Sequence, residues 1–167
     1  GLTYGAEASI HTLQFIGDIE ARTATRTETT AEALGLMIEE FRRLRQERIG
    51  VRELSGVQAY MSGSFPLELE TPDAIALRVL NVVFYGLDLG ELATYRERVG
   101  AVTVDDIQRV SREYLTPERL SIVLVGDASA FIDDLAAAGF TDIERVLVTD
   151  LDLSSTDLTR SGSSLSR

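Results

Sequence analysis

Two rhythms of hydrophobic and polar residues follow one another along the chain. From Thr3 to His11 the side chains alternate. Tyr4, Ala6, Ala8 and Ile10 fall on one face, and Thr3, Glu7, Ser9 and His11 on the other. A second alternating run sets Phe15, Gly17, Ile19 and Ala21 against Gln14, Asp18, Glu20 and Arg22. A period of two places successive side chains on opposite faces of a strand. Two such runs with a short break predict a β-hairpin, although no Asn-Gly or Asp-Gly marks the turn. Gly17 inside the second run points to a close backbone approach or a bulge.

After these runs the period lengthens to that of helices. Thr29 and Glu32 have capping-box spacing, and Leu34, Met37, Ile38, Phe41 and Leu44 then recur as one apolar stripe. Arg42, Arg43, Arg45 and Arg48 crowd the last turns, where cations suit the helix dipole, and Gly50 stops the helix. A second helix is expected to turn Leu54, Val57 and Met61 inward and to weaken at Ser62-Gly63-Ser64. Thr71-Pro72 opens a third, with Thr as cap and Pro in the first helical position. Ile75, Val79, Val82 and Val83 would form its buried stripe, and Gly86 would end it. Asp88 and Glu91 start a shorter helix carrying Leu92 and Tyr95, ended by Gly100. Thr103 and Asp106 cap a fifth, with Ile107, Val110 and Tyr114, closed by Thr116-Pro117.

Leu120 to Val125 is apolar in five of six positions and bounded by Pro and Gly, which predicts a buried central strand. Phe131, Ile132 and Leu135 mark a sixth helix, stopped by Gly139, and Ile143 to Val148 predicts a last strand. Residues 1–153 read as one domain and the Ser-rich residues 154–167 as a flexible tail. The expected fold is α+β: a mostly antiparallel sheet with helices packed on one face.

Composition narrows the chemistry. The chain has 167 residues and a net charge of −11, with no Cys, no Lys and one His. It therefore has no disulfide, thiolate zinc site, cysteine nucleophile or Schiff-base lysine. Acidity makes it a poor match to nucleic acid or anionic lipid, and no apolar run approaches the ~18 residues of a membrane span. The acidity favours either a basic peptide ligand or simple solubility.

Individual candidates mostly have bland explanations. His11 lacks a second His or Cys, so it makes no metal site. Asp150, Asp152 and Asp157 lack the turn Gly and terminal Glu of a calcium loop. Asp105 and Asp106 suit a helix start, and Asp133 and Asp134 a solvated helix face. Ser62-Gly63-Ser64 is not a nucleophile elbow. The arginines from Arg42 to Arg52 read as helix-end solvation or as a site for an acidic partner. Tyr4, taken alone, reads as a packed tyrosine with its hydroxyl on a backbone carbonyl.

Several segments, in their order and spacing, resemble the pitrilysin/insulinase family of zinc peptidases, which includes the mitochondrial processing peptidases. They are Gly1-Leu2-Thr3-Tyr4-Gly5, Gly17 through Thr25, Ala33-Leu34 before a charged helix, Glu53-Leu54, Ser62 through Pro72, and Leu120 through Asp127. The resemblance covers roughly residues 1–153. It implies a molecule of two related α+β halves, one holding zinc through an inverted H-x-x-E-H motif whose Glu activates water. A chain with one His cannot carry that motif, and the order of its segments resembles the later part of the non-catalytic half, with its beginning missing.

In that half the family pattern pairs an Arg with a Tyr in Gly-Leu-x-Tyr. Tyr4 matches the Tyr, and the Arg would lie before Gly1. The implied role for Tyr4 is a hydrogen bond to the scissile carbonyl. The implied partners are a zinc-bearing catalytic half, in the same polypeptide or a separate subunit, and a peptide substrate. Zinc would belong to the partner and not to this chain. The family also suggests a bacterial periplasmic or secreted setting. A second expectation, of another class, is a non-enzymatic assembly subunit that kept the fold and lost the chemistry.

Overall fold

A computed structural model describes residues 1–152, 154–156 and 158. Apart from 154–156 and 158, the tail expected over 154–167 lies outside the described residues, as does Asp157. The chain is α+β and mostly helical, not mostly sheet. It opens with an antiparallel hairpin of β1 (Thr3–Thr12) and β2 (Gly17–Thr25), the single sheet among the described residues. Among the described residues six helices follow: α1 (Thr30–Gln46), α2 (Val51–Ser64), α3 (Pro72–Phe84), α4 (Gly90–Ala101), α5 (Val104–Tyr114) and α6 (Ile132–Ala137).

Helix boundaries follow local chemistry where a side chain can reach its own backbone. The Thr71 hydroxyl accepts from Ala74 N–H at 3.2 Å, with Pro72 next in line, so α3 begins as expected. It ends at Gly86, whose φ of +66° suits a residue without Cβ, while Leu87 N–H returns to Val82 O at 2.9 Å. The capping box of α5 is complete. Asp106 N–H donates to the Thr103 hydroxyl at 3.1 Å, and Thr103 N–H donates to the Asp106 carboxylate at 3.0 Å.

The box expected from Thr29 and Glu32 does not form. A 3₁₀ turn over Thr27–Thr29 runs directly into α1, so the first amides are already satisfied by Arg26 and Thr27 carbonyls. The Thr29 hydroxyl bonds elsewhere, as described below.

Two expected strands are corrected. Neither Leu120–Val125 nor Ile143–Val148 is a strand, and Val148 instead opens a 3₁₀ turn over Val148–Asp150. Among the described residues, no backbone N–H from Leu120 to Gly126, or from Thr141 to Leu147, donates to a backbone carbonyl. Val123 and Val125 are 83% and 96% exposed, far from a buried central strand. An apolar, β-rich run shows preference for a half-buried pleated surface, but a strand exists only when a neighbour completes its ladder. The sheet is therefore a hairpin, not a multi-stranded layer.

The described chain divides into two compact units. The first joins Gly1–Ala6, Thr23–Gly35 and the residues from Ile122 on. Its buried apolar side chains are Ala33 and Leu34 of α1 with Phe131 and Leu135 at α6. The second joins Glu7–Arg22 to Leu36–Ser121 and buries Ile38, Leu54, Phe65 and Val82, together with Ser111.

Within the second unit, Phe65 stacks on Tyr95 with centroids 4.3 Å apart. The Gln58 amide donates to Val99 O and Val102 O at 3.0 and 2.9 Å, at the C-terminal end of α4. Arg112 and Gln108 of α5 donate likewise to Arg45 O and Gln46 O at the end of α1. The stripe expected on α1 is inward, with Leu34 and Ile38 buried and Met37, Phe41 and Leu44 half-buried. Elsewhere the expected stripes are only partly inward. Val57, Met61, Ile75, Val83, Val110 and Tyr114 are exposed, because helical periodicity names an apolar face without naming what covers it.

The α5 cap yields a pH-dependent expectation. Hydrogen bonds from the Thr103 hydroxyl, then from its backbone N–H, hold the Asp106 carboxyl below the usual carboxylate value. A lowered folded-state value favours the ionised form, so this contribution is present above the unfolded-state value and fades as pH falls through the folded one. Thr103→Ala destabilises the chain by about 1 kcal/mol at neutral pH, as N-cap losses do. The difference from wild type shrinks below pH ~4. Urea midpoints at neutral and acid pH measure both.

Candidate functional site

The site predicted from sequence is the open end of the hairpin, and its geometry starts from register. Leu13 N–H donates to Ile16 O at 2.9 Å and closes the turn. Glu7 faces Arg22, and His11 Nδ1 donates to the Asp18 carboxylate at 3.1 Å. These pairs set one register, in which Tyr4 of β1 lies across from Thr25 of β2. A side chain at Gly17 would meet His11 O at 2.8 Å, so glycine is required by the close approach of the strands beside the turn. The Tyr85 hydroxyl donates to Thr12 O at 2.8 Å and ties the same end of β1 to the segment after α3.

Tyr4 is 94% exposed. Its hydroxyl makes no hydrogen bond among the described residues, so it is not the packed, carbonyl-bonded tyrosine that the residue alone suggested. What is held is its backbone. The Thr23 hydroxyl donates to Gly5 O at 2.6 Å, and the Thr25 hydroxyl to Leu2 O at 2.7 Å. Thr25 Oγ1 also lies 2.7 Å from Thr29 Oγ1, which in turn is 3.0 Å from Arg26 O.

Thr23 and Thr25 were not singled out in the sequence, and Thr29 was read only as a helix cap. The available signal was Thr23 and Thr25 at alternate positions, on the strand face that register turns toward Tyr4. Chemically, the arrangement is a phenol on a clamped strand, with one O–H to donate to an acceptor outside the described chain.

The other hairpin face is polar and self-paired. His11 meets Asp18 and stands 3.9 Å from Glu20, and Arg22 meets Glu7. The hydrogen bond to Glu7 raises the Arg22 pKa further above its already high ordinary value. All five groups are solvated, so these pairs add little stability.

The remaining sequence candidates are not brought together. No cluster of three or more His, Asp or Glu able to hold a metal occurs among the described residues. Asp152 accepts from Ser154 N–H and hydroxyl at 2.9 and 2.6 Å, a local turn bond that lowers its pKa. Asp105 pairs with Arg48, and Asp106 serves the α5 cap.

The arginines near the end of α1 are mostly engaged. Arg42 and Arg43 pair with Glu39 and Glu40, and Arg45 donates to Leu115 O at 2.5 Å. A cleft of about 520 Å³ in the second unit is lined by Arg48, Arg109 and Arg112, but also by Asp105 and Glu113. Two carboxylates offset two of its three cations, which leaves only a small net attraction for an acidic partner.

No protein-family model matches the chain, and no curated protein matches it. No helix among the described residues is long and apolar enough to cross a membrane.

Proposed function

We propose that this chain is the later part of the non-catalytic half of a zinc metalloendopeptidase of the pitrilysin/insulinase type. It closes over a zinc-bearing half, walls a peptide chamber and presents Tyr4 to the scissile carbonyl. The observation that carries this is Tyr4 itself: a phenol in a Gly-Leu-Thr-Tyr sequence, 94% exposed and without a hydrogen-bond partner among the described residues, on a strand whose flanking carbonyls are fixed.

Further support comes from apolar side chains left exposed in each unit. They include Val123, Val125 and Val148 in the first and Leu77, Leu80 and Phe84 in the second. Surfaces of this kind mark protein–protein contact.

The chemistry suits the role. Hydrolysis of a peptide places negative charge on the carbonyl oxygen in the transition state, and a fixed donor stabilises it without reorganising. Zinc, held by the partner half, would supply the activated water.

The test is metal-dependent activity. The parent protein, or this chain assembled with its zinc-bearing subunit, should hydrolyse peptides and lose activity to a chelator, while this chain alone should do neither. If no H-x-x-E-H motif occurs in the parent or its assembled partner, the peptidase role fails and a structural assembly subunit takes its place.

A further inference from the structure

We infer that Thr25, with Thr23 and Thr29, is a positioning residue for Tyr4. This rests on Tyr4 being the donor to a peptide carbonyl. Tyr4 has almost no packing of its own at 94% exposure, so the direction of its side chain is set by the backbone that carries it. That backbone is pinned on both sides by side chains of β2: Leu2 O by the Thr25 hydroxyl at 2.7 Å, and Gly5 O by the Thr23 hydroxyl at 2.6 Å.

Proton accounting orders the contacts. A carbonyl only accepts, and each threonine has one hydroxyl proton. Thr25 therefore spends its proton on Leu2 O, and its 2.7 Å contact with Thr29 uses the Thr29 proton. The longer 3.0 Å contact from Thr29 to Arg26 O competes for that same proton. The result is a chain running Thr29 to Thr25 to Leu2 O, in which each bond polarises the next. Thr23 and Thr25 are half-buried while Tyr4, on the same strand face, is not, so the clamp holds the backbone and leaves the phenol free.

Valine replaces threonine with the same shape and β-branching but no hydroxyl, whereas serine keeps the hydroxyl. In the zinc-loaded parent enzyme, Thr25→Val should lower kcat by roughly 10-fold with little change in KM. That is below the ~100-fold that a displacement of about 1 Å can cost. Thr25→Ser should restore turnover. Because Thr25 acts through Tyr4, Thr25→Val should cost nothing further once Tyr4→Phe is present.

Equal losses with and without Tyr4→Phe, or no loss at all, would overturn the assignment. Amide exchange over Leu2–Gly5 in the 167-residue chain decides the clamp independently of catalysis. Exchange should quicken in Thr25→Val and recover in Thr25→Ser, and unchanged exchange sinks the clamp. If Tyr4→Phe turns over like wild type, the carbonyl role of Tyr4 is what has failed, and exchange alone then judges the clamp.

Discussion

Under the proposed peptidase role, replacing Tyr4 with Phe in the zinc-loaded parent enzyme should lower kcat by roughly 100- to 1,000-fold, the loss found when one donor to a developing oxyanion is removed. The substitution deletes a single oxygen. At 94% exposure it opens no cavity, and with the hydroxyl unpaired it orphans no protein group. Folding should therefore be unaffected, and urea midpoints of the wild-type and Tyr4→Phe chains should coincide. KM should move far less than kcat, because the hydrogen bond strengthens as charge builds on the oxygen and is weak to the ground-state carbonyl. A large rise in KM at constant kcat would instead make Tyr4 an ordinary substrate contact. Turnover equal to wild type would leave Tyr4 with no catalytic role, and the exposed apolar surfaces would then favour the assembly-subunit alternative.

How much of this was legible in the sequence depends on the range of the interaction concerned. Thr71-Pro72 and Thr103/Asp106 announced their helices because a cap is made by a side chain and an amide three residues away. The hairpin was legible through alternation, and Gly17 through the demand for close approach. Thr29 and Glu32 show the same spacing as a working capping box, yet a 3₁₀ turn took up the free amides first, a local competition that spacing does not record.

Leu120–Val125 failed for the opposite reason. Its apolar run reports what the segment would do beside a partner strand, and the partner is a non-local fact. Tyr4 as a candidate came from the resemblance, not from alternation. Its support by Thr23 and Thr25 was hidden because it depends on cross-strand register, which a single strand's pattern leaves open. Both threonines lay in plain sight as β-formers; only the pairing of Tyr4 with Thr25 turns them into a clamp.

Leu135→Ala should destabilise the chain by about 2–5 kcal/mol. Leu135 is the most deeply buried of the core side chains, at 2% exposure, in a short helix of six residues that has few other means of staying folded. In the same unit only Ala33, Leu34 and Phe131 are also buried among the described apolar residues, so little neighbouring mass is available to fill the space left behind. A shortage of such mass pushes the cost toward the upper part of the range, since unfilled cavity volume adds to the lost transfer energy. Val123→Ala is the control. Val123 is 83% exposed, and its truncation should stay within about 0.5 kcal/mol. Urea unfolding of the two variants measures the contrast. Equal midpoints would mean that Leu135 anchors nothing and that the unit's small core is not where its stability resides. The expected outcome separates the few side chains that hold this unit together from the many apolar ones that it leaves exposed.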